Sequence, residues 1–276
     1  MIRNIARDIY NFFNDILILF NNLKSTQNFL ILFPRFISYA LKKVFIYDKK
    51  NKKIFIQKIR NRYDLLTIFE IFSEESYNLT KYECWEELNK SYLKIIDNKK
   101  KPLLIDCGSN IGSSTEYFSR IFKNIFSIMI EPNPESAKFS SENIYNKDHI
   151  ILNKAISSKN KIVMIDDNNK DNRASKISNL VGKEIDTITV TDLLNKYQNI
   201  TPFIIKIDIE GYEKDLFESN VEWIKDFQII IIEIHDWMIP FKSISRNFFK
   251  AIYEKILIDD SRDFIISGEN LIIIKK

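Results

Sequence analysis

The spacing of hydrophobic positions changes along this chain, and the change divides it. Near the N-terminus Ile9, Phe12, Phe13, Ile16, Leu17, Phe20 and Leu23 recur at three- and four-residue steps, the period of a helix. A second apolar run, Phe29 to Phe33, is broken by Pro34, and Phe36 to Val44 predicts a third helix. Residues 1–45 thus read as helical and apolar over more than half their circumference. Val44 to Tyr47 and Ile54 to Ile56 flank a charged turn, Asp48 to Lys53, as the arms of a β-hairpin would. Two further helices are expected, over Tyr63–Ile71 and Tyr82–Asp97, and the loop Asn98–Pro102 leads into a different pattern.

From Leu103 onward short apolar runs alternate with helical stretches. The expected order is strand Leu103–Asp106, helix Ser113–Phe122, strand Ser127–Ile130, helix Pro134–Tyr145 and strand Ile150–Ile156. A hairpin-like insertion (Lys161–Ile165 and Thr187–Val190) comes next, then helix Thr191–Tyr197 and strand Phe203–Ile207. Helix Tyr212–Ser219, strand Gln228–Ile234 and helix Ser245–Leu257 follow. Asp263–Ser267 and Asn270–Ile274, split by Gly268-Glu269, close the pattern as an antiparallel pair. Such alternation predicts a mainly parallel sheet covered by helices on both faces. The expected organisation is a helical extension and hairpin over 1–60 and an α/β domain over 61–276.

Composition narrows the function. Hydrophobic residues make up 45% and aromatics 13%, enough for a substantial core. With 41 basic against 37 acidic residues the charge is mild, which argues against nucleic acid as the main partner. Cys84 and Cys107 have no metal-ligand spacing and suggest no disulfide framework, so a reducing, cytoplasmic setting is expected. No uninterrupted apolar stretch reaches the length of a membrane span. The apolar segment 1–45 is expected to pack on the main domain or on a second subunit as a homodimer contact, in preference to a membrane surface, because basic residues on its polar face are few.

In an open parallel sheet, ligands bind beyond the carboxyl ends of the strands. Here those ends are polar. The first strand runs into Asp106-Cys107-Gly108-Ser109-Asn110-Ile111-Gly112, which holds two of the chain's five glycines. Gly112 lacks the following Lys-Ser/Thr of a phosphate loop, and the third glycine of a dinucleotide fingerprint is missing. The spacing suits S-adenosylmethionine, which carries no pyrophosphate. Gly108, Ser109, Asn110, Gly112 and Thr115 would then face its methionine part, with Asp106 at the amino group or fixing the loop. Glu131, Pro132 and Asn133 end the second strand, and Glu131 can accept hydrogen bonds from both ribose hydroxyls or serve as a helix N-terminal charge before Pro134. Ala155 and Ile156 end the third strand. Asp208 and Glu210 end the fourth, two apart and therefore on one rim, and either can act on an acceptor hydroxyl or cap the next helix. His235 ends the fifth, as a base, a substrate contact or a structural histidine. With Asp208 and Glu233 it could also make a divalent-metal set, but the spacing alone is weak evidence and a metal is not indicated.

Taken together, Ile105 to Gly112, Ile130 to Pro134, Asp186 to Leu194, Ile205 to Glu213 and Ile232 to His235 resemble the FkbM-type methyltransferases, from about Tyr63 to Ile274. Cys107, Ser109 and Tyr212 depart from that family's usual residues, and the N-terminal segment lies outside the likeness. The resemblance implies a Rossmann-like methyltransferase fold with a seven-stranded sheet and an antiparallel edge hairpin. It also implies methyl transfer from S-adenosylmethionine to oxygen, with S-adenosylhomocysteine as product and a saccharide, glycan or other small hydroxylated metabolite as acceptor. Asp208, His235 and Glu210 are the expected catalytic residues, and Asp208 also borders the cofactor. Two other readings stand beside it: a nicotinamide-dependent oxidoreductase, and a membrane-docked protein without catalysis.

Overall fold

The structure is a computed structural model that describes Leu17 and residues 26–166, 176–178, 182–197, 199–238, 241–258 and 261–276. The helical run expected over Ile9 to Leu23 lies almost wholly outside the described residues. Two compact units are present, Met1–Asn78 and Leu79–Lys276. Residues 61–78 group with the first of these units.

In that unit β1 (Phe29–Ile31), β2 (Lys43–Asp48) and β3 (Lys53–Lys58) form an antiparallel sheet. Phe29 to Ile31 is thus a strand where a helix was expected. A three-residue apolar run ahead of Pro34 is too short to show a period, and Glu75 holds its start by accepting the Gln27, Asn28 and Phe29 amides. Helix α1 (Arg35–Leu41) follows Pro34, and the β2–β3 hairpin forms as its charged turn predicts. Helix α2 (Arg62–Phe72) begins where the Asn61 side chain accepts two backbone amides. Phe29, Phe55 and Phe72 meet edge-to-face at 5.1–6.1 Å at the unit's centre.

The second unit opens with α3 (Trp85–Asp97) and is built on a seven-stranded sheet. Its strands are β4 (Lys101–Cys107), β5 (Phe126–Ile130), β6 (His149–Leu152), β11 (Ile200–Ile207), β12 (Ile229–Glu233), β13 (Arg262–Ser267) and β14 (Asn270–Lys275). Their order is β13-β14-β12-β11-β4-β5-β6, and the contiguous pairs from β12 to β6 are parallel. β14 runs antiparallel to both its neighbours, which gives the expected edge hairpin. The central strands read as almost unbroken isoleucine and leucine because both faces are buried. The helices between them are α4 (Ser113–Ile121), α5 (Pro134–Ser140), α6 (Val190–Lys196), α7 (Glu213–Leu216) and α8 (Arg246–Ile252).

A smaller sheet holds β7 (Ala155–Ile156), β8 (Ile162–Asp166), β9 (Lys176–Ser178) and β10 (Lys183–Ile188) in the order β7-β10-β8-β9. The strand expected over Ile150–Ile156 is therefore two strands. β6 ends at Leu152, and Ala155 and Ile156 pair with Thr187 and Ile188 of β10. Asn153 and Lys154 carry the chain from one sheet to the other. Strand order reverses between β4 and β11: β5 and β6 lie to one side of β4, and the later strands lie to the other. That switch point is where a doubly wound sheet opens a crevice for a ligand.

Candidate functional site

Parallel pairing sets Asp106 of β4 opposite Lys206 of β11. Lys206 is 3% exposed. Its ammonium donates to the Gly108 carbonyl and the Asp208 carboxylate, both at 3.1 Å, and lies 3.5 Å from Asp106 Oδ1. The other oxygen of Asp106 accepts from the Ser114 and Thr115 hydroxyls at 2.5 and 2.6 Å. Thr115 therefore fixes Asp106 from the first turn of α4. Lys206 was not singled out for chemistry in the sequence. A lysine inside an isoleucine run that must be buried was the available sign.

The space a side chain would take at each of the two loop glycines is filled by the protein itself. Gly108 has φ +77°, and a Cβ there would meet the Asp208 carbonyl oxygen at 1.8 Å. Gly112, at φ +85°, precedes α4 and would meet Met129 and Ile144 at 3.0 Å. Their task is to let the ends of β4 and β11 touch and to turn the chain into a helix. Ser109 between them is buried, and its hydroxyl has no hydrogen-bond partner. Asp106 Oδ1 also lacks one, apart from the nearby ammonium. Both atoms are buried beneath the loop.

Glu131, at the end of β5, accepts the Asn110 amide at 2.7 Å on one oxygen and the Asn133 amide at 2.9 Å on the other. It ties the glycine loop to the neighbouring strand end. A carboxylate has lone pairs to spare beyond those two bonds. Asn133 turns its side chain to the Glu135 and Ser136 amides as the N-cap of α5, with Pro134 in the first turn as expected. The Pro132 carbonyl accepts from Asn153, which also donates to the Glu131 carbonyl. Asn153, another residue the sequence reading passed over, thereby sets the Glu131 turn. Ala155 and Ile156 are buried in the smaller sheet and are not brought to this rim through a strand end of the main sheet.

Across the switch point, β11 ends at Ile207 and the chain continues through Asp208 and Glu210. Glu210 adopts φ +53° and Gly211 φ +94°. Positive φ at a glutamate costs about 1–3 kcal/mol and is characteristic of functional loops. The Asp208 and Glu210 carboxylates come within 3.6 and 3.8 Å of His235 Nε2, and Glu233 within 3.3 Å. Behind the ring, Nδ1 donates to Glu213 at 2.6 Å. Glu213 and His235 are each 1% exposed. Trp237 is 68% exposed and lies next to the ring, its centroid 6.4 Å away. The sequence reading gave neither Glu213 nor Trp237 a role.

Burial alone would lower the pKa of His235. Hydrogen bonds donated by the ring to Glu213 and Glu233 and the charges of Glu213 and Asp208 overcome it and raise the imidazole to about 11. Burial raises Glu233 as well, as do Asp208 and Glu269, against the pull of His235. Among the described residues Asp208, Glu233 and His235 offer ligand atoms within 4.8 Å of one another. Cys107, at the end of β4, is buried and its thiol is pushed up by that burial, which rules it out as a nucleophile.

Strand order, the antiparallel edge pair and the crevice at the switch point define the class: a Rossmann-like α/β fold. Residues 106–266, more than half the chain, match the methyltransferase FkbM domain family, and the chain belongs to that family. A methyltransferase FkbM from Methylobacillus flagellatus KT aligns with a TM-score of 0.42 at 14% identity over 63% of this chain and 43% of that one. This chain thus spans less than half the length of that protein. An O-methyltransferase from Bacillus cereus in complex with S-adenosylhomocysteine aligns at 0.36 and 14%, over 79% and 92%. A precorrin-6y C5,15-methyltransferase from Geobacter metallireducens GS-15 aligns at 0.34 and 9%, over 68% and 86%. No curated protein matches the sequence. No described helix is long and apolar enough to cross a membrane.

Proposed function

We propose that this chain transfers a methyl group from S-adenosylmethionine to a hydroxyl of a saccharide, glycan or other small hydroxylated metabolite. The observation that carries the reading is the continuous polar line from the glycine loop to the imidazole: Asp106, Lys206, Asp208 and His235, each within 3.6 Å of the next. It joins the wall that suits a cofactor to the wall that suits an acceptor. The unsatisfied Ser109 hydroxyl and Asp106 oxygen and the Glu131 carboxylate at the next strand end fit an amino-acid head and a ribose. Asp106, Gly108 to Asn110 and Gly112 would line the methionine side. Glu131, with the turn through Pro132 and Asn133, would take the ribose.

When bound, the cofactor supplies a methyl group on a positively charged sulfur, which leaves as a neutral thioether. The chain's own residues place the acceptor and receive its proton. Asp208 is the group for that task, because it is partly exposed at the rim while Lys206 fixes its other edge. Glu210 stands beside it. His235, held charged at neutral pH, donates from Nε2 to Glu233 and faces the Asp208 and Glu210 carboxylates at 3.6 and 3.8 Å, and its own role as a base is confined to the alkaline range. The exposed face of Trp237 suits the C–H face of a sugar ring, which supports a saccharide acceptor.

Titration calorimetry with S-adenosylhomocysteine tests the cofactor half, and absence of binding to folded protein would sink it. Incubation with cofactor carrying a labelled methyl group and fractionated polysaccharide or small-metabolite extracts tests the acceptor half. Base-stable label in a saccharide fraction is expected from wild type, with a loss on the order of 100-fold in Asp208→Ala.

A further inference from the structure

We infer that Glu213 is a positioning residue of this site: it grips His235 from behind and keeps Nε2 aimed at the Asp208, Glu210 and Glu233 carboxylates. The inference deepens the methyl-transfer reading and rests on it. Its ground is geometric. Glu213 and His235 come from different elements, the start of α7 and the end of β12, and meet at 2.6 Å with both side chains buried.

A buried carboxylate that contacts only surface groups would be a cap. This one gives Oε1 to a ring nitrogen at 2.6 Å, with the Gly211 amide a longer second donor at 3.4 Å, and leaves Oε2 buried without a hydrogen-bond partner. Leaving a buried carboxylate oxygen unmade costs free energy. A helix cap would not need that expense, since a terminus can be capped at the surface. The imidazole has two nitrogens, and the bond at one decides what the other presents. With Nδ1 fixed to Glu213, Nε2 can point only toward the rim, where it lies 3.3–3.8 Å from three carboxylates.

The groups facing the ring come from every side. Asp208 and Glu210 follow β11, Glu213 begins α7, Glu233 lies two residues before the ring on β12, and Glu269 in the β13–β14 turn acts on Glu233. Lys206 offsets part of this charge through Asp208. Without Glu213 the ring could rotate and leave those carboxylates to repel one another unaligned.

The chain has two histidines, so ¹⁵N-histidine NMR can follow each one, with His149→Gln assigning the pair. Wild type is expected to show a His235 Nδ1 proton in slow exchange and a charged ring well above pH 8. In Glu213→Gln, which keeps the shape and an acceptor, the Nδ1 proton should persist while the titration midpoint drops by more than about one pH unit. In Glu213→Ala the Nδ1 signal should be lost. A His235 titration and Nδ1 signal unchanged in both variants would overturn the inference, as would a thermal destabilisation in Glu213→Gln with no change at the ring, the mark of a purely structural carboxylate. Calorimetry with S-adenosylhomocysteine runs beside it on the same samples. Failure of wild type to bind there, with the ring behaving as expected, defeats the methyl-transfer reading and not the grip of Glu213 on the ring.

Discussion

At the scale of single residues, the glycine loop and the buried lysine make opposite kinds of prediction. Gly108 sits against the Asp208 carbonyl at a positive φ, so a methyl group adds both strain and a clash with backbone. Gly108→Ala should cost at least about 3 kcal/mol in urea unfolding. Gly268 has φ +61° but open space around it, so Gly268→Ala should cost only about 1–2 kcal/mol. Equal costs would mean that strand contact at the switch point is not what Gly108 serves. Lys206 is a matter of charge. Lys206→Met leaves a fully buried Asp106 beside Asp208 without an ammonium, and should cost about 3–5 kcal/mol. Adding Asp106→Asn should recover part of that loss by removing the stranded charge. A double variant no better than the single one would show that Lys206 acts through packing alone.

At the scale of elements, the ends of helices carry the clearest predictions. Asn61 and Asn133 each accept two backbone amides at the start of α2 and α5. Replacing either with Ala should lower stability by about 1 kcal/mol, read as a shift in the denaturant midpoint without a change in slope. The same scale explains how much of the fold was legible in the sequence. Elements with a strong period or a full apolar run, such as β11, β12 and the β13–β14 hairpin, lie where the pattern placed them. Short ones do not. Phe29–Ile31 gave too few residues for a period, and Ile150–Ile156 looked continuous because a change of sheet leaves no mark on hydrophobicity. Helix α7 is only four residues, Glu213–Leu216, where Tyr212–Ser219 was expected. At the site, the residues marked by a strand end were found. Lys206, Asn153 and Glu213 were missed, since their roles come from pairing across strands that the sequence does not align.

At the scale of the whole molecule, the acidic rim around His235 couples stability to pH, and the sign follows from the direction of the shift. The folded-state pKa is raised to about 11 from an ordinary 6.5, so the folded chain holds a proton that the unfolded chain releases. The stabilisation is complete below pH 6.5 and is lost as pH rises toward 11. Cys107 is shifted in the same direction from 9.0 by burial, and it too withdraws stability at high pH, but only above its ordinary value. The window from pH 6.5 to 9 lies above the ordinary histidine value and below the ordinary thiol value, and His235→Gln separates the histidine from the raised carboxyls of Glu233 and Glu116. Urea unfolding of wild type should show stability falling steadily across that window. In His235→Gln, which removes the titration and leaves a neutral side chain of similar reach, the slope should flatten while the decline above pH 9 persists. A variant whose pH dependence parallels wild type from pH 6.5 to 9 would place the proton uptake elsewhere, and the carboxylates around the ring would then have to be held apart by some other cation.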